Sequence, residues 1–137
     1  MKLITRIIIA LAIAVVIIAG AFVALYFIKT DKKRAKYTSI SMEEAKKIFA
    51  TPGDYIILDV RTAGEYANGH IPGAINVANE KIGDKKPEEL PDTDQFIYVY
   101  CRTGHRSKLA SAKLAKLGYT NVIEFGGIMS WDGKKEK

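Results

Sequence analysis

One thiol carries the clearest covalent chemistry in this chain. Cys101 is its single cysteine, placed after the apolar run FIYVY and before RTGHRSKLASAKLAKLGY, whose later part has helical periodicity. In sheets of alternating strands and helices, sites form where a strand ends and a short loop turns into a helix. Such a loop turns consecutive backbone N–H groups inward, and the helix N-terminus adds partial positive charge. Arg102 and Arg106 add full charges. Each effect favours thiolate over thiol, so Cys101 is expected well below the ordinary thiol value of about 8.5. The same groups attract an anionic substrate, because guanidinium forks match oxyanions. Gly104 suits a backbone position with positive φ. His105 invites a Cys–His pair, but sequence neighbours in a tight loop rarely face each other, so it is expected to face solvent. A lone cysteine can also be a small buried hydrophobe at a strand end. Two arginines and a glycine in the following positions favour chemistry over that alternative.

The elements around the loop follow from pattern. YTSI is strand-like, and Ser41 and Glu44 have capping-box spacing at the head of a helix. YIILDV is a continuous apolar run suited to a buried strand. Thr62 and Glu65 repeat the capping-box spacing, with Gly69 as the stop. The Pro72–Gly73 turn leads into the short strand AINV. Residues 79–94, with prolines and many acids, form a surface loop with one helical turn. QFIYVY is a further buried strand. The helix after the cysteine is expected to bury Leu109, Ala112, Leu114 or Ala115, and Leu117, and to end at Gly118. NVIEF is the last strand, and GGIMSWDG a turn with a short final helix. This alternation predicts an α/β fold: a mainly parallel sheet of about five strands with helices on both faces.

Composition removes some function classes. The net charge is +6, yet residues 1–36 hold seven Lys or Arg and one acid, and the remainder is balanced. The basic character is therefore local and gives no argument for nucleic-acid binding. One cysteine excludes an intrachain disulfide framework and multi-cysteine zinc sites.

The basic excess flanks an uncharged apolar stretch over 7–28. As a helix it spans about 33 Å, against a hydrocarbon core of roughly 30 Å. A cleavable signal peptide competes, with Lys2 and Arg6 as its basic start and Ala19–Gly20–Ala21 as its cleavage site. The apolar run continues past Ala21, which favours an uncleaved single-pass anchor. Residues 1–6 are then a short tail, 29–36 a basic linker, 37–133 the folded domain and 134–137 a tail. The lysines and arginine after the span favour a cytoplasmic domain, whereas the short basic start resembles that of an exported protein, so the side stays open.

Three segments together carry a family resemblance. LDVRTAGEYANGHIPGAINV over 58–77, VYCRTGHRS around Cys101 and EFGGIMSWDG near the end resemble a single-domain rhodanese, over essentially all of residues 37–133. The resemblance implies that Cys101 accepts a sulfane sulfur as a persulfide, cradled by the backbone N–H groups of Cys101, Arg102, Thr103, Gly104, His105 and Arg106. It implies that Arg102 and Arg106 bind the anionic donor and order the loop. Asp59 and Arg61 match the family's Asp-x-Arg pair and are expected to support structure, as are His70, Pro72, Gly73 and Trp131. Related phosphatases and arsenate reductases use five residues between Cys and Arg. Here four separate Cys101 from Arg106, position 107 is Ser and position 100 is Tyr, which disfavours phosphatase activity.

Two functions stand against each other. The first is a membrane-tethered sulfurtransferase, moving sulfur from thiosulfate or a related small anionic donor to cyanide, a thiol or a protein acceptor, with no metal or organic cofactor. The second is a membrane-tethered rhodanese-fold module that binds a partner protein or relays its persulfide. Retention of Cys101, Gly104 and both arginines favours chemistry.

Overall fold

A computed structural model describes residues 1–30 and 36–137. Chain contacts divide it into two units, Met1–Arg34 and Ala35–Lys137. The first holds one helix, α1 (Lys2–Thr30), long and apolar enough over Lys2–Leu25 to cross a membrane, a property that signal sequences share. It starts within the stretch expected to be a tail, because no residue near Lys2 interrupts helical backbone; Thr5 Oγ1 donates to Met1 O at 2.9 Å. Most of the basic linker expected over 29–36 lies outside the described residues.

The second unit is built on five parallel strands: β1 (Thr38–Ser39), β2 (Tyr55–Asp59), β3 (Ile75–Asn76), β4 (Phe96–Cys101) and β5 (Asn121–Gly127). Their order across the sheet is β1-β5-β4-β2-β3. Three helices connect them: α2 (Met42–Phe49), α3 (Ala63–Ala67) and α4 (His105–Lys116), with short 3-10 turns at Asn79–Lys81 and Ile128–Ser130. Both expected capping boxes form. Ser41 Oγ accepts the Glu44 N–H at 3.2 Å while Glu44 Oε2 accepts the Ser41 N–H at 2.8 Å. Thr62 and Glu65 do the same at the head of α3, at 3.3 Å and 3.0 Å.

Alternation along the central strands separates two cores. Ile97, Val99 and Cys101 of β4 face α4, with Leu58, Val60, Ala110, Leu114 and Val122. Tyr98 and Tyr100 face the other way, with Ile57, Ala45 of α2, Ile71 and Phe125. Burial on both faces explains why β2 and β4 read as unbroken apolar runs.

The face of α4 is in part the expected one, with Leu114 and Ala115 buried and Leu117 packed against the core, and in part differs. Ser107, Ala110, Ser111, Leu114 and Ala115 are buried, whereas Leu109 is 46% exposed and Ala112 also faces solvent. Small side chains at i, i+3 and i+4 (Ser107, Ala110, Ser111) line the buried face, with Leu114 at i+7. Burying Leu109 instead would turn Ser107 away from the cysteine. Residues 134–137 also join the domain: Glu136 N donates to His70 O at 2.9 Å and accepts at its carbonyl from His70 N at 2.8 Å. Trp131 packs on Phe49 at 6.5 Å between ring centroids and donates from Nε1 to Lys134 O.

Asp59 and Arg61 form a buried pair at the end of β2. Arg61 Nη2 reaches Asp59 Oδ2 at 2.6 Å and Gly69 O at 2.8 Å. The Tyr100 hydroxyl donates to Asp59 Oδ2 at 2.6 Å and accepts from Ile71 N at 3.1 Å. Burial, then the Asp59 hydrogen bond, pushes the Tyr100 phenol far up, so it stays a donor. This network ties β2, β4 and the turn before β3 together on the face away from α4. Tyr100→Phe leaves the buried carboxylate one donor short, and we expect a loss of about 1–3 kcal/mol in urea unfolding with the Cys101 loop intact. An unchanged midpoint would deny the network a structural role.

Candidate active site

Strands β2 and β4 are neighbours whose connections leave in opposite directions, β2 through α3 to β3 and β4 through α4 to β5. A crevice opens at such a switch point, outside the carboxyl ends of the strands. Cys101 is the last residue of β4 and α4 begins at His105, so the thiol stands at the strand end beside that switch point.

The start of α4 has no side-chain cap. Its N-cap is Gly104 at φ 107, a backbone state that favours glycine, and Gly104 makes no side-chain cap hydrogen bond. The cysteine sulfur takes part of that role: Gly104 N donates to Cys101 Sγ at 3.0 Å. Cys101 Sγ also lies 3.6 Å from Ser107 Oγ. The sulfur is 1% exposed with its residue, and burial pushes the thiol up. The Ser107 N–H and hydroxyl, then the Gly104 and Thr103 N–H groups, outweigh burial and bring it below the ordinary thiol value. Inward-turned hydrogen-bond donors thus lead among the effects expected to favour thiolate.

The two arginines are placed differently. Arg106 is bidentate on Glu65, Nη1 to Oε2 at 2.7 Å and Nη2 to Oε1 at 2.8 Å, joining the head of α4 to the head of α3 across the crevice. The Arg106 hydrogen bond holds the Glu65 carboxyl down at about 2, with Thr62 assisting against burial. Arg102 is exposed, and among the described residues its guanidinium has no hydrogen-bond partner. Thr103 and His105 are exposed too, and Gly104 is buried. Asp59 and Arg61 stand apart, their side chains on the opposite face of the sheet.

Three features of the site were missed at the level of sequence. Glu65 caps α3 as its spacing predicts, and it also clamps Arg106, which the spacing does not show. Ser107 is fully buried under the sulfur. Glu124 is 3% exposed on β5, where its Oε1 accepts from Ser107 Oγ at 2.7 Å and from Gly126 N at 2.8 Å. A carboxylate inside the apolar run NVIEF was the available signal. Gly127 has its own constraint: a Cβ there would strike the Arg102 carbonyl and Thr103. A cavity of about 330 Å³ lined by Ile82, Asp84, Lys113, Lys116 and Leu117 lies at the far end of α4, away from the thiol.

Two outcomes follow from this geometry. A carboxyl lowered by folding contributes stability above its unfolded value of about 4.3, and that contribution is lost as pH falls through the folded value. The Glu65–Arg106 clamp should therefore stay closed at pH 4 and open as pH approaches about 2, followed by hydrogen exchange at the head of α4. Opening already at pH 4 would refute this. Gly127→Ala should displace the loop and abolish Cys101 reactivity towards a thiol reagent; wild-type reactivity would show that the close approach is dispensable.

The comparisons agree with this geometry. The chain matches the Rhodanese-like domain over residues 41–134. YrkF of Bacillus subtilis, which carries a provisional sulfur-carrier name, is 36% identical over 108 residues, covering 78% of this chain and 57% of that protein. The thiosulfate sulfurtransferase PspE of Escherichia coli is 34% identical over 71 residues, covering 52% of this chain and 68% of that one. Among solved structures, a rhodanese with anions from Escherichia coli superposes with a TM-score of 0.55 at 31% identity, covering 61% of this chain and 98% of that one. Fold, cysteine loop and relatives converge on sulfur transfer as the general chemistry: the chain belongs to the rhodanese-like domain family.

Proposed function

We propose that this chain is a membrane-tethered sulfurtransferase that carries sulfane sulfur as a persulfide on Cys101. The observation that carries this reading is the sulfur of Cys101 receiving the Gly104 N–H at 3.0 Å, at a helix start with no other cap. The thiolate attacks the outer sulfur of thiosulfate. The S–S bond breaks, its electron pair leaves with sulfite, and Cys101 holds the persulfide. An acceptor (cyanide, a low-molecular-weight thiolate or a protein thiolate) then attacks the terminal sulfur and the Cys101 thiolate departs, a ping-pong cycle without net oxidation of the enzyme. Thr103, Gly104 and Ser107 N–H groups hold the negative sulfur. Arg102, exposed beside them, recruits the anion with His105 at the rim, while Arg106 orders the loop through Glu65. Asp59 and Arg61 support the sheet end that carries the crevice. Thiosulfate as donor draws support from the name of PspE, and the apolar helix α1 supports tethering.

A second reading, a persulfide relay to a partner protein, draws support from the sulfur-carrier name of YrkF, of which this chain spans 57%. Full-length protein in detergent, mixed with thiosulfate, should gain the mass of one sulfur atom on the Cys101 peptide, and Cys101→Ser should gain none. No adduct on folded wild type would sink the enzymatic reading. Arg102→Ala should raise KM for thiosulfate about tenfold with kcat near wild type, the effect of one charge-assisted hydrogen bond. An unchanged KM would remove Arg102 from donor binding. A partner protein captured equally well by Cys101→Ser would favour a binding module over any sulfur chemistry.

A further inference from the structure

The sulfur cycle described above leaves one buried ionisable group unused. Glu124 is 3% exposed, and among the described residues it has no Lys, Arg or His within ion-pair distance. A buried carboxylate with no cation is costly unless hydrogen bonds hold it or it takes a proton. Its Oε1 has two donors, Gly126 N at 2.8 Å and Ser107 Oγ at 2.7 Å.

Ser107 makes this local arrangement chemical. Its hydroxyl lies between Glu124 Oε1 at 2.7 Å and Cys101 Sγ at 3.6 Å, with the carbonyls of Gly104 at 3.0 Å and Gly126 at 3.3 Å as further acceptors. It has one proton to donate. The shortest and charge-assisted acceptor is an ionised Glu124, and then Ser107 offers the sulfur a lone pair, which suits a thiol S–H. A protonated Glu124 instead donates to Ser107, which frees the hydroxyl proton for the sulfur and suits a thiolate. Cys101 and Glu124 therefore place opposite demands on one hydroxyl.

We propose that Glu124 is a positioning residue that stores the Cys101 proton through Ser107. In the transfer, the S–H proton passes to Ser107 Oγ as the Ser107 proton passes to Glu124 Oε1. One S–H and one O–H bond break, two O–H bonds form, and the total charge of the three groups stays at minus one. The sulfur and the hydroxyl are both buried, so this route ionises the thiol without bulk water. The inference deepens the sulfurtransferase reading and rests on it for its biological use. Among the described residues, no other charged group on the surrounding elements bonds the Ser107 hydroxyl. β1 presents Thr38 and Ser39, Arg102, His105 and Lys108 are exposed, Arg106 is held by Glu65, and Lys113 is held by Asn79.

The test is the thiolate ultraviolet absorbance of Cys101 against pH in full-length protein, with Cys101→Ser as the blank. Two groups sharing a proton titrate as a pair. Wild type should gain thiolate in two steps separated by a plateau. Glu124→Gln keeps an acceptor oxygen for Ser107 and Gly126 but cannot store the proton, so it should show a single step. Wild type with one step, or Glu124→Gln with the wild-type profile, would overturn the proposal. Should Glu124→Gln fail to fold, Ser107→Ala decides: collapse to one step supports the relay, and an unchanged profile overturns it. The titration uses no sulfur donor. A chain that shows two steps yet forms no persulfide would keep the relay and lose the sulfurtransferase reading.

Discussion

A helix start leaves backbone N–H groups without partners, and this fold leaves those of α4 to the end of a neighbouring strand. Elsewhere in the domain, Ser41 and Thr62 close the heads of α2 and α3 with side-chain caps. At α4 the N-cap is glycine, and the nearest acceptor is the sulfur of Cys101. Burial alone would make that thiol inert, because a buried charge without partners is strongly disfavoured. Orphan donors reverse the balance and hold the thiol of an interior cysteine below its ordinary value. The loop shape, the glycine contacts and the strand register all serve this one junction.

The surrounding structure keeps the junction in place. Parallel strands β2 and β4 send their chains to opposite sides, so the heads of α3 and α4 lie over one crevice. The Glu65–Arg106 fork joins those heads, and the same carboxylate also caps α3. From the other side, Gly127 lets β5 run against the Arg102 carbonyl, and Met129 N donates to that carbonyl at 3.2 Å. The Asp59–Arg61–Tyr100 network locks the strand ends from the opposite face. Arg106, expected both to bind the donor and to order the loop, is held by Glu65, while Arg102 is exposed.

Local features were legible because they depend on local chemistry. Capping boxes at Ser41–Glu44 and Thr62–Glu65, the buried runs of β2 and β4 and the positive φ of Gly104 follow from neighbouring residues. The parallel α/β architecture followed from the alternation of such elements. The rotation of α4 did not, because Leu109 competes with the serines on apolar pattern alone. What fixes the rotation is Ser107 reaching a carboxylate seventeen positions later in the chain, on β5. Long-range polar pairs of this kind leave one faint trace in sequence, an acid such as Glu124 in a strand that is otherwise apolar.

In the proposed function, sulfur passes through Cys101 with sulfite as the leaving group. The most direct measurement is a single turnover with thiosulfate and no acceptor, counting sulfite against protein. One sulfite released per Cys101, with the outer sulfur retained on the protein, is the predicted result. Release of sulfite by Cys101→Ser at the wild-type level, or no release by folded wild type, would contradict it.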